Sequence, residues 1–291
     1  MEQPEGFKKK GQEHKVFHLK NALHGLKQAA LQWWQALDKS METMGFKHLK
    51  SDSGVFVLIH SGQPEVIVIV YVDDAVFMGP QKHLVNTYKE HFMHTWECQD
   101  LGEIEEFLRI RITCQKGIIS LDQKDYLVTV LKCFNMQNVK EASTPLPSGY
   151  NPVPNTLPVD KKFHTKYQQV IGSLLYLMLG TRPDITYAVT KMAQFAANPS
   201  EEHLTKALYI CRHLAGMTNY KLQYGLKHQG LYAYADADWA SNLKSRRSTT
   251  GYLVLLSGIA ISWNSRAQKT IVLSSTEAEY MSLSDTCRQL I

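Results

Sequence analysis

The chain has 291 residues, 44% apolar and 20% charged, with a formal net charge of +5. That length suits roughly two or three compact units, and the mildly basic balance admits nucleic acid as a partner without requiring it. Its five cysteines are odd in number and include no Cys-x-x-Cys pair. They argue against a disulfide framework or zinc knuckle and predict an intracellular home, with cytoplasm and nucleus not distinguished. The opening MEQPEGFKKK is charged, unlike a signal peptide, and residues 66–72 fall far short of the ~20 apolar residues of a membrane span. No membrane association is expected.

Over residues 27–44, Leu31, Trp34, Leu37, Met41 and Met44 recur with helical spacing and Gly45 supplies a stop. Trp33 and Trp34 read as helix packing rather than base-stacking platforms. The stretch VIVIVYVDDAVFMG, residues 66–79, is a β-branched run, two aspartates and a second short run, closed by Gly79-Pro80. It predicts a strand hairpin, and Leu84, Tyr88 and Phe92 mark a helix after it, an α+β pattern. Residues 104–121 predict two strands broken at Gln115-Lys116-Gly117, with a helix following over 123–134.

Residues 143–158 hold five of the ten prolines and cannot continue a helix or a central strand, which marks a boundary. Three helices are predicted beyond it: 167–179, then 184–197 with Pro183 before it, then 201–215 with Ser200 as N-cap and Gly216 as stop. The last segment alternates again. LYAYADADWA, TTGYLVLL, IAISW and TIVLSS read as short strands, and a final helix carries Tyr280, Leu283, Cys287 and Leu290 at helical spacing as an apolar stripe.

Two carboxylate sets stand out. Asp73 and Asp74 are either ordinary turn residues or, since like charges ~4 Å apart repel, ligands for a divalent cation that takes oxygen donors. Asp236, near the end of a strand, and Glu277, in the capping-box pattern Ser274-Ser275-Thr276-Glu277, form the second set, with capping the stronger claim on Glu277 when the residues are judged alone. Asp238 shares the strand face of Asp236, and Asp285 reads as solvated. Lys8, Lys9, Lys10, Lys15, Lys20 and Lys27, with the loop cluster Lys244, Arg246 and Arg247, are candidates for holding phosphates.

In collinear order the chain carries MEQPEGF, LKNALHGLKQAALQWW, YVDD, DLGEIEEFL, ASTPL, IGSLLYLMLGTRPDITYAV, YADADWA and RRSTTGYLVLLSGIAISWNSRAQKTIVLSSTEAEY. This series resembles the Pol polyprotein of copia-type LTR retrotransposons. The resemblance implies an α+β fold: reverse transcriptase palm and thumb elements over residues 1–142, a linker and helical connection over 143–228, and the amino-terminal half of a ribonuclease H-like α/β domain over 229–291. It also implies that Asp73 and Asp74 lie in the polymerase hairpin that binds Mg²⁺, and that Asp236 and Glu277 match the first two acidic ligands of ribonuclease H. RNA template, DNA primer and RNA–DNA hybrid are the implied partners, with a second copy or other Pol chains alongside.

The departures from the family shape the expectation. A first polymerase aspartate precedes the MEQPEGF block in the family, and two further ribonuclease H aspartates follow the final helix. Phe107-Leu108-Arg109-Ile110 stands where the family has Phe-Leu-Gly-Ile. The chain is therefore expected to be a truncated Pol fragment, inactive by itself. The alternative is a non-catalytic nucleic-acid-binding or interaction remnant.

Overall fold

The computed structural model describes residues 1–291 except 21, 24, 226–229, 243–244 and 291. Backbone contacts divide the chain into Met1–Glu103 and Ile104–Ile291. The expected boundary at 228–229 lies outside the described residues.

In the first unit, helix α1 (Ala29–Thr43) turns Leu37 and Met41 inward. Gly45 ends it at φ +89°, with Leu58 Cδ1 only 3.3 Å from where a Cβ would sit, so any other residue would meet both backbone and packing penalties. Trp34 packs as predicted, its Nε1 donating to Ser53 O at 3.1 Å. Trp33 does not: with 41% exposure it belongs, like Leu31, to a first part of the helix that lies beyond the packed core.

Strands β1 (Lys47–His48), β2 (Val55–His60), β3 (Gln63–Tyr71) and β4 (Asp74–Met78) follow, then helix α2 (Lys82–Trp96). Among the described residues the strands form one antiparallel sheet in that order. Alternation gives the sheet its inner face. Phe56, Val66 and Val68 are buried with Leu37, Met41, Phe46 and Phe92, while Ile67 and Ile69 on the other face are half-buried. This is the predicted hairpin between helices.

The second unit opens with β5 (Glu106–Phe107), β6 (Ile110–Gln115), β7 (Ile118–Asp122) and helix α3 (Lys124–Cys133). Lys116 and Gly117 both have positive φ, the geometry of a tight two-residue hairpin turn, so the predicted break is a turn. After the proline-rich stretch come α4 (Lys161–Gly180), a 3-10 turn over Pro183–Ile185, α5 (Thr186–Ala193) and α6 (Glu201–Gly216). Asp160 caps α4 by accepting from Lys162 N and Phe163 N. Ser200 caps α6 in a capping box whose reciprocal acceptor is His203 Nδ1. Tyr167, Leu174, Leu177, Ile185, Val189, Met192, Ile210 and Leu214 form the core of this helical layer. Strand β8 (Leu222–Tyr224) then returns to pair with β7, completing a sheet ordered β5-β6-β7-β8.

The final elements are β9 (Leu231–Asp238), β10 (Thr249–Leu256), β11 (Ile259–Ala267) and α7 (Ser275–Leu290). The strands form an antiparallel sheet ordered β11-β10-β9. TIVLSS does not form the predicted strand: Val272 is buried and its oxygen accepts from Trp239 Nε1, but Leu273 is 90% exposed and the segment joins no ladder. Helix α7 forms as expected. Its buried face is Ala278, Ser282 and Thr286, and Tyr280, Leu283, Cys287 and Leu290 are exposed. Small residues win that face because the helix approaches the strand backbones closely enough for Ser282 to bond their carbonyl oxygens.

Candidate active site

The β3–β4 hairpin pairs Tyr71 with Asp74, which leaves Val72 and Asp73 as a two-residue loop. Val72 takes φ +55°. For a β-branched residue that is a genuine outlier, of the kind that stores about 1–3 kcal/mol and clusters at functional sites. Asp73 sits at the loop tip, Asp74 starts β4, and both are exposed. The buried alternation of β3 is what delivers them there: Val66 and Val68 anchor the strand to the core, and the chain must reverse just beyond Tyr71.

Among the described residues neither carboxylate has a hydrogen bond or ion pair, and no group of three His, Cys, Asp or Glu side chains converges anywhere. Mg²⁺ takes one or two carboxylates together with waters and substrate phosphates. The pair therefore fits part of such a shell by its chemistry and its access, and falls short of a closed protein site.

Asp236 and Asp238 lie exposed on β9, the edge strand of its sheet. Glu277 is in the first turn of α7. Its Oε2 accepts from Leu273 N at 2.9 Å, and its N donates to Ser274 Oγ at 3.1 Å. The carboxylate thus works as a cap, though on the amide one residue before the one the pattern predicts. Ser282, which meets Asp236 O, is five residues further on, so Glu277 lies about 7.5 Å along the helix axis from that crossing. Asp285 is not merely solvated as expected: Arg266 Nη2 donates to its Oδ2 at 2.7 Å, an ion pair that links the end of β11 to α7.

Lys8, Lys9, Lys10, Lys15 and Lys20 are all exposed, as is Lys27 just ahead of α1. A residue that sequence reasoning missed ties their loop at Lys9 and Lys15. Gln3 is buried, its Nε2 donates to Gln12 O and Lys15 O, both at 2.7 Å, and its Oε1 accepts from Lys9 N at 2.8 Å. Its only sequence signal is a lone amide in a charged stretch. Arg246 and Arg247 stand exposed on a turn closed by Arg246 N to Asn242 O at 2.7 Å and Asn242 N to Arg247 O at 3.1 Å. Lys244, expected beside them, lies outside the described residues.

A hairpin tipped by paired carboxylates and a lysine-bearing loop thus lie in the same unit. The chain belongs to the reverse transcriptase family: the model described as reverse transcriptase (RNA-dependent DNA polymerase) matches residues 1–148. It is 37% identical over its whole length to the retrovirus-related Pol polyprotein from transposon TNT 1-94 of Nicotiana tabacum, covering 22% of that protein. It is also 37% identical to that from transposon RE1 of Arabidopsis thaliana, covering 20%, so the chain spans about a fifth of these polyproteins. A putative transposon Ty5-1 protein of Saccharomyces cerevisiae is 30% identical over the whole chain, which covers 94% of it. No solved structure matches the chain. The copia-type resemblance read from the sequence is thereby borne out.

Proposed function

We propose that the chain is a fragment of a retrotransposon RNA-directed DNA polymerase with a ribonuclease H-like segment, able to contact nucleic acid and silent as a polymerase by itself. The observation that carries this reading is the β3–β4 hairpin, which presents Asp73 and Asp74 to solvent within the stretch matched by the reverse transcriptase model. In the proposed division, residues 1–142 are palm and thumb elements, 143–228 a linker and helical connection, and 229–291 the ribonuclease H-like part. The end of the family match at 148 and the antiparallel β9–β11 sheet with α7 packed on it support that division.

RNA template, DNA primer and RNA–DNA hybrid are the proposed partners, held through Lys8, Lys9, Lys10 and Lys27 and, in the second unit, Arg246 and Arg247. Asp73 and Asp74 would hold Mg²⁺, which when bound neutralises phosphate charge. Asp236 is proposed as the ribonuclease H-like carboxylate with Glu277 its partner, although capping now occupies Glu277. Among the described residues no helix is long and apolar enough to cross a membrane.

Primer extension on an RNA template with Mg²⁺ tests the reading, alongside hybrid binding at two salt concentrations. The expected result is binding that falls steeply with salt through counterion release, without extension. Extension that disappears in Asp73→Asn would overturn the silence, and binding insensitive to salt would overturn the electrostatic contact.

A further inference from the structure

The second unit contains a cavity of about 840 Å³, within the roughly 300–1,000 Å³ range of small-ligand sites. Its walls come from separate parts of the unit: the proline-rich loop at Asn151, helix α5 at Tyr187 and Lys191, Phe195 just beyond, and the strand ends at Thr249 and Arg266. Among the described residues, none of those proposed as catalytic or phosphate-holding lines it.

The charge of this cavity is one-sided. Among the described residues no Asp or Glu lines it, whereas Lys191 and Arg266 both do. Lys191 Nζ donates to Tyr150 O at 2.9 Å, Tyr187 Oη at 2.8 Å and Asn151 Oδ1 at 3.3 Å. All three acceptors are neutral, so the ammonium is fixed in place while its charge stays uncancelled. Arg266 spends Nη2 on Asp285, and a guanidinium carries further donors. Tyr187 is 44% exposed and its ring centroid lies 5.1 Å from Lys191 Nζ. An accessible aromatic ring beside an unpaired cation is the combination that takes a planar base and its phosphate together.

We propose that this cavity binds a nucleoside phosphate, its base against Tyr187 and its phosphate on Lys191. The anion displaces the Asn151 contact, the longest of the three. A free mononucleotide and a nucleotide of a single strand present the same chemistry. The inference deepens the nucleic-acid reading above and rests on it only for the second source.

The test uses the whole chain with 4-thiouridine monophosphate and a fluorescent oligothymidylate. Photo-cross-links of either probe are mapped by mass spectrometry, and affinities are measured for wild type, Lys191→Met and Asn151→Asp. Asn151 sits on an exposed loop, so its variant keeps the fold while placing a carboxylate against Lys191. Cross-links should fall within residues 187–198, and each variant should weaken binding by about fivefold or more, as expected when a desolvated charge contact is lost or neutralised. Unchanged affinity in both variants, cross-links confined to residues 1–27, or no binding of either probe would overturn the inference. The cross-link confined to 1–27 leaves the nucleic-acid reading standing. Conversely, mononucleotide in the cavity without any binding of hybrid or oligonucleotide supports the cavity and sinks that reading.

Discussion

Ser282 Oγ lies 2.7 Å from the backbone oxygen of Asp236 and 3.1 Å from that of Gly251, its single proton shared between them. The helix bearing Glu277 is seated on the strand bearing Asp236 through a fully buried residue of minimal size. Ser282→Leu should destabilise the chain by about 1–3 kcal/mol through overpacking, and Ser282→Ala by about 1 kcal/mol through the lost bond. Urea denaturation of the two variants checks this, and a leucine variant with an unshifted midpoint contradicts the close approach.

That same helix shows what the sequence could and could not convey. Its period was legible, but not that Ala278, Ser282 and Thr286 would be the buried side while the apolar stripe at Tyr280, Leu283, Cys287 and Leu290 stays exposed. Periodicity locates a face, and it is the neighbouring backbone that decides whether bulk or smallness suits it. The Asp73-Asp74 hairpin was legible because strand alternation and a two-residue reversal are local. The lysine loop was not, since Gln3 reaches residues 6 to 12 positions away with no periodic signal. TIVLSS has the short β-branched apolar run of a strand, yet composition supplies no pairing partner.

Asp184 should set part of the acid stability. Burial raises its pKa, but hydrogen bonds from Arg182 and His213 outweigh that and hold the carboxyl well below the usual carboxylate range. Arg182 donates to both its oxygens, at 2.9 and 2.7 Å. A carboxylate with a depressed folded pKa stabilises above its unfolded value, ~3.9, and loses that contribution as pH falls from there toward the folded value. Thermal melts from pH 6 to pH 2 should show the loss in wild type and a flatter profile in Asp184→Asn. At pH 7 the variant should cost about 3 kcal/mol, because Arg182, only 4% exposed, is left unpaired.

The turn between β5 and β6 places Leu108 at φ +51° and Arg109 at φ +56°, a left-handed pair without a glycine, steadied by the Tyr176 hydroxyl on Leu108 O. Left-handed backbone costs a side-chain-bearing residue roughly 1–2 kcal/mol. Arg109→Gly should therefore raise stability by up to about 1 kcal/mol once the added freedom of the unfolded chain is offset. A lower melting temperature would show that the arginine side chain contributes more than its backbone strain removes.

Replacing Asp73 and Asp74 together with asparagine should leave stability unchanged or raised without metal, because both are exposed and unpartnered among the described residues and only their mutual repulsion is removed. Differential scanning calorimetry in a chelating buffer decides it. A large drop in melting temperature would assign the pair a structural role.

The three hydrogen bonds of Gln3 bear on how fast and how tightly a polyanion is met. A loop already tied at Lys9, Gln12 and Lys15 has surrendered much of its conformational freedom at folding, so association need not supply that entropy again. Without the tie, the same lysines would hold the same charge but form a fluctuating cloud rather than a template. The amide at position 3 thereby converts a cationic composition into a surface with a shape.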